Sequence, residues 1–174
     1  MGTSAASASV LKVAGTAEGG YCIRVEGRGT MRESRSAGAF AAKPLEQPGT
    51  RVIIDLSACD YLDSTFLGCL VDLHRRAVRT DPPRFQVAAP PETVRKLLGP
   101  TRLDTVIRTT AEAPAVIGDY VALPAADPAS PDVMTHVMQC HRLLADLGGP
   151  QKAAFAAIAD NIEKELQGPG ARKG

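Results

Sequence analysis

A chain of 174 residues, 44% of them hydrophobic, is long enough for one domain with an appendage and apolar enough to bury a core, which excludes a wholly disordered protein. With 20 basic and 19 acidic residues the formal charge is +1. There is no general basic field to hold nucleic acid or an anionic membrane, so contacts with proteins are the expected mode of action. Aromatic residues make up 4% and Trp is absent, which argues against a base-stacking platform or a large aromatic docking surface.

In chain order, Val10 to Thr16 and Tyr21 to Gly27 are rich in β-formers and are separated by Glu18-Gly19-Gly20, the pattern of a hairpin. Arg32 to Lys43 carries Ala37, Phe40 and Ala41 at helical spacing, with Pro44 as the expected stop. Arg51 to Leu56 is a compact β-branched run, read as a central strand buried on both faces. Ser64 to Thr80 places Leu67, Leu70, Val71, His74 and Val78 on one side of an amphipathic helix. A turn is expected at Asp81-Pro82-Pro83, then a strand at Arg84 to Ala88 and a helix opened by Pro91 and closed by Gly99-Pro100. Asp104 to Thr109 reads as a last short strand. The order β-β-α-β-α-β-α-β implies an α/β fold, a mixed sheet with helices on one face.

Three regions are expected: a domain over 1–110, a Pro- and Ala-rich connector over 111–130, and a helical hairpin over 131–167. Within the connector, Tyr120 to Leu123 has the composition of an edge strand. Ser130-Pro131-Asp132 is a helix start. Val133, Val137, Cys140, Leu144 and Leu147 then form one apolar stripe, and Phe155, Ile158, Ile162 and Leu166 form the next. A hairpin with one apolar side is too small to be stable alone. It must pack on the first domain, on a second copy to make a homodimer, or on a partner.

Cys22, Cys59, Cys69 and Cys140 lack the C-x-x-C spacing of metal or redox sites and read as buried or half-buried free thiols. Met1 to Ser9 lacks the charged and apolar regions of a signal peptide, and no apolar run is long enough to span a bilayer. Free thiols without a leader suit a cytoplasmic location. His74, His136 and His141 have no H-E-x-x-H arrangement, so they are read as structural, with no metal and no cofactor expected. Neither a nucleophile elbow nor a phosphate-binding or dinucleotide glycine loop is present, so no catalytic activity is expected.

The informative stretch is Cys59-Asp-Tyr-Leu-Asp63-Ser64-Thr65-Phe66-Leu-Gly68, which follows a buried strand and opens a helix. Asp63 and Ser64 there suit a helix cap, because the first backbone N–H groups of a helix lack partners. The same geometry makes Ser64 a candidate phosphorylation site, since a helix N-terminus stabilises added negative charge. Gly68, inside a helix, asks for the close approach of a neighbouring backbone, either the sheet or a partner.

Arg51-Val-Ile-Ile-Asp-Leu-Ser57, Tyr61 to Gly68, Pro91 to Leu98 and Thr101-Arg-Leu-Asp104 together resemble the STAS domain of anti-sigma factor antagonists, over about Val10 to Thr110. The resemblance implies that Ser64 is phosphorylated by an anti-sigma factor that is also a serine kinase, and dephosphorylated by a serine phosphatase. It implies that the unmodified chain binds the anti-sigma factor and frees a sigma factor, with Asp63, Ser64, Thr65 and Phe66 at the binding surface. Family members commonly carry a small residue where Phe66 stands, so this ring either enters the core or reshapes the surface. The residues Arg28-Gly29-Thr30 replace an acidic position usual in the family. The alternatives of an unphosphorylated STAS scaffold and of a small-molecule sensor remain open at this point.

Overall fold

The computed structural model describes residues 8–78 and 83–168. Six strands form one sheet in the order β5-β4-β3-β2-β1-β6. The strands are β1 (Val10–Thr16), β2 (Gly20–Gly29), β3 (Arg51–Leu62), β4 (Phe85–Ala88), β5 (Thr109–Thr110) and β6 (Val116–Ala122). The first two form an antiparallel hairpin, whereas β2, β3, β4 and β5 run parallel, each one place further along the sheet. Three successive crossovers in one direction, which the right-handed rule for parallel strands carries over one side, put their helices, α1 (Met31–Glu46), α2 (Ser64–Ala77) and α3 (Pro91–Leu97), on the same face. Ile23, Val25, Val52, Ile54, Phe85 and Val87 are buried with Ala37, Ala41, Leu70 and Leu73 in one core. The expected mixed sheet with helices on one face is therefore the fold.

The helix-free face follows from the same two-residue period. Lys12, Arg24 and Asp55 are ladder partners and carry the ionic contacts Lys12–Glu26 and Arg24–Asp55. Tyr120 closes that face, with its hydroxyl 3.5 Å from the Cys22 thiol. All four cysteines are buried and free.

Several boundaries differ from the sequence reading. Helix α1 runs three residues past Lys43, because Pro44 falls in its last turn, where buried Leu45 keeps the backbone against the core. The strand expected over Asp104 to Thr109 is not one: Asp104 and Thr105 end a 3-10 turn, Leu103–Thr105, that follows another at Gly99–Thr101, and only Thr109 joins β5. Leu103 and Ile107 are both buried there at a spacing of one helical turn, while Thr105, which would share their face in a strand, is exposed. The connector holds β6, which pairs antiparallel with β1 through a shift in register beside Gly118 at φ +72°. The end of the second helix at Thr80 and the turn at Asp81-Pro82 lie outside the described residues.

The last two helices, α4 (Pro131–Asp146) and α5 (Lys152–Leu166), pack on each other, and α4 packs on α2 and α1. Within this chain the hairpin packs on the first domain. Ser130 caps α4 by accepting from Asp132 N–H at 3.3 Å. In α5 the inward positions are Phe155, Ala159 and Ile162, while Ile158 and Leu166 are exposed. The apolar stripe of α5 is thus rotated from the expected one, because Ala159 at the helix contact lets the two backbones approach.

Candidate functional site at two adjacent helix starts

The end of β2 and the end of β3 are paired, Gly29 opposite Leu62, so α1 and α2 start side by side. Asp63 is the N-cap of α2, and one of its oxygens accepts from Phe66 N–H at 2.8 Å. Its other oxygen accepts from Met31 N–H, also at 2.8 Å, at the start of α1. One carboxylate therefore serves two helix ends, each carrying partial positive charge. Burial pushes the Asp63 carboxyl up from its usual range, and the Phe66 and Met31 N–H groups, with His141, pull against that. Next to it, Glu33 accepts from both the backbone N–H (2.9 Å) and the hydroxyl (2.5 Å) of Thr30. This reciprocal cap of α1 was readable as Thr30-x-x-Glu33, a pairing the sequence reading passed over.

Ser64 is the first residue of α2 and is half-buried. Its hydroxyl lies 2.8 Å from Nε2 of His141, on α4. The other ring nitrogen, Nδ1, is 2.7 Å from the Val137 carbonyl oxygen, which can only accept. Nδ1 therefore carries a proton, and in the neutral ring Nε2 accepts from Ser64. A second pair repeats the arrangement, with the Ser34 hydroxyl of α1 2.7 Å from His136 Nε2. Burial, helped by Arg35 and opposed by Asp72, pushes His136 down to about 4.

Of the four residues expected at a binding surface, Asp63 and Ser64 stand together at the helix start. Thr65 and Phe66 do not share that surface. Thr65 is 3% exposed and Phe66 is 0% exposed. Phe66 fills the space left by the missing side chain of Gly29, where a methyl group would come within 2.9 Å of the ring. The open choice at Phe66 thus resolves as a core ring. The close approach expected at Gly68 comes from this chain's own α4: a methyl group there would stand 2.4 Å from the Cys140 carbonyl oxygen.

The histidines are what the sequence reading missed. Each is near its serine only in space, His141 being 77 positions from Ser64. The only available signal was that both lie on the apolar side of α4, beside Val133, Val137 and Cys140. Among the described residues no helix is long and apolar enough to cross a membrane.

No family model matches the chain, and no curated protein matches it. Among solved structures it is similar to an anti-sigma factor antagonist from Mycobacterium paratuberculosis, at 18% identity and a TM-score of 0.49, covering 64% of this chain and 92% of that one.

Proposed function

We propose that the chain is an anti-sigma factor antagonist, a partner-binding module switched by phosphorylation of Ser64. The observation that carries this reading is the position of Ser64. It is the first helical residue after a buried strand, beside a cap that is complete without it, so modification leaves the sheet and the start of α2 intact. The partner is an anti-sigma factor with serine kinase activity, whose capture releases a sigma factor, and a serine phosphatase restores the unmodified state. In the modification step the Ser64 hydroxyl loses its proton as its oxygen bonds to the γ-phosphorus of ATP, the bridging P–O bond breaks, and ADP leaves. The chain is the substrate of that step.

The added group brings about −1.5 to −2 charge next to Asp63. The helix ends stabilise part of it, but an approaching partner meets like charge and must desolvate a dianion. An opposing term of only about 3 kcal/mol weakens binding by roughly a hundredfold. Asp63, Ser64 and the outward side of α2 form the contact surface, with Thr65 and Phe66 beneath it as support.

The test is incubation with the serine-kinase anti-sigma factors of the source organism and ATP, followed by mass spectrometry. Label on Ser64 that disappears in Ser64→Ala is the expected result. Ser64→Glu should bind the kinase at least tenfold more weakly than the unmodified chain. Undiminished labelling of Ser64→Ala would remove Ser64 from the mechanism.

A further inference from the structure

We propose that the α4–α5 hairpin is a detachable cover that occupies the α2 face in competition with the partner, so that Ser64 is presented only when the hairpin leaves. This rests on the antagonist reading given above. The cover fits its site at three points. At the centre, α4 meets α2 backbone to side chain: a methyl group on Gly68 would stand 2.6 Å from Cys140 Cβ, and Cys140 and Leu144 join the domain core. Toward the helix starts, His141 holds Ser64 and His136 holds Ser34. At the far end, Arg75 reaches Asp146 across 3.9 Å.

The contact is also built to open. Serine hydroxyls and imidazoles exchange their mutual hydrogen bonds for water at a small net change, unlike apolar groups. The hairpin keeps part of its own cohesion: Val133, Val137 and Ile162 form a second buried cluster, which Met31 of α1 also touches, and Arg142 binds Glu163 (2.7 Å) and Asp160 (3.7 Å) between the two helices. It hangs from a short exposed turn at Asp127–Ala129.

Phosphorylation and closure exclude each other. In the closed state the Ser64 oxygen has His141 Nε2 at hydrogen-bond distance, which leaves no space for a phosphoryl group between them. A kinase therefore acts on the open form. A partner that docks on α2 must first displace α4, because both need the strip around Gly68.

The cover is tested on the full chain by hydrogen exchange and by labelling. In the wild type, amides of α4 and α5 are expected to exchange at least tenfold faster than those of β3. Leu144→Asp places a charge against the core from the hairpin side only. It should strip α4 and α5 of protection while β2 and β3 stay within threefold of the wild type, and it should be phosphorylated on Ser64 at least tenfold faster by the anti-sigma kinase. Wild-type α4 amides as slow as β3, loss of β3 protection together with α4 in Leu144→Asp, or equal labelling rates of the two proteins would each overturn the cover. If neither protein acquires phosphate on Ser64, the antagonist reading falls, and the exchange pattern alone decides for or against the cover.

Discussion

Gly29 and Gly68 are both glycines that a side chain cannot replace without a collision, yet they guard different boundaries. A methyl group on Gly29 would come within 2.6 Å of Leu62 and 2.9 Å of Phe66, both side chains of the same domain. On Gly68 it would meet the backbone of Cys140, in a separate helical unit. The first contact holds the end of β2 to the end of β3 and the start of α2, and its loss reaches the whole core. The second holds a face to its covering, and its loss reaches the seam alone. A tight contact by itself does not say whether it belongs to the fold or to an interface within one chain.

The largest expected effect lies on the Gly29 side. Phe66→Ala empties the space beside Gly29 in a fully buried site, and a loss of about 3–5 kcal/mol is expected in denaturant unfolding. A loss below about 1 kcal/mol would mean that the ring is not core and would return Phe66 to the surface. On the other side, Gly68→Leu gains helix propensity of about 1 kcal/mol. The clash with the rigid Cys140 backbone outweighs it. Protection of α4 and α5 should fall by about 1–3 kcal/mol while that of β3 is retained; an equal fall in both would erase the distinction between the two glycines.

The third prediction concerns pH. His136 faces Ser34 and Arg35 from α1, Asp72 from α2 and Cys140 on its own helix, and burial pushes it down to about 4. Once the hairpin is free, the ring returns to its ordinary value of about 6.5. Between these values the released state binds more protons, so docking is at full strength above about pH 6.5 and weakens as pH falls toward 4. One proton limits the slope to about 1.4 kcal/mol per pH unit. Asp63, whose carboxyl is pushed up by burial, acts in the opposite sense at the acid end. Exchange of α4 measured at pH 7.5, 6 and 5 should show the loss, and His136→Gln should flatten it. A wild type whose docking is unchanged over that range would remove His136 from the seam.

The elements that satisfy local rules were legible. β3 announces itself by a β-branched run, α2 by Asp63-Ser64 ahead of a helical stripe, and α4 by Ser130-Pro131. The site was half legible, since a helix start can be read from neighbours in sequence. Its cover could not be, because Val133, Val137, Cys140 and Leu144 present a stripe that suits any apolar surface. What places α4 on α2 is the close approach of Cys140 to Gly68 together with His141 at Ser64, with His136 at Ser34 of α1 beside them, and periodicity does not encode these pairings between distant positions. The 3-10 turns near Leu103 were lost for a different reason: Arg102 adopts a left-handed backbone at φ 59°, a conformation its residue type does not signal.

The connector is tied to the domain before the hairpin begins. Leu123 N–H donates to Leu11 O at 2.8 Å, Ser36 donates to Pro124 O at 2.6 Å, and Ala126 N–H donates to Arg32 O at 3.1 Å. The free tether is then only residues 127–130, whose root-mean-square reach as a flexible chain is about 11 Å. A segment held so near its site acts at an effective local concentration on the order of millimolar. Any rival for the α2 face contends with that standing concentration, and its apparent affinity is its intrinsic one multiplied by the fraction of time the tether leaves the face open. The strand pairing of β6 with β1, remote from Ser64, thus sets the threshold at which a partner is admitted.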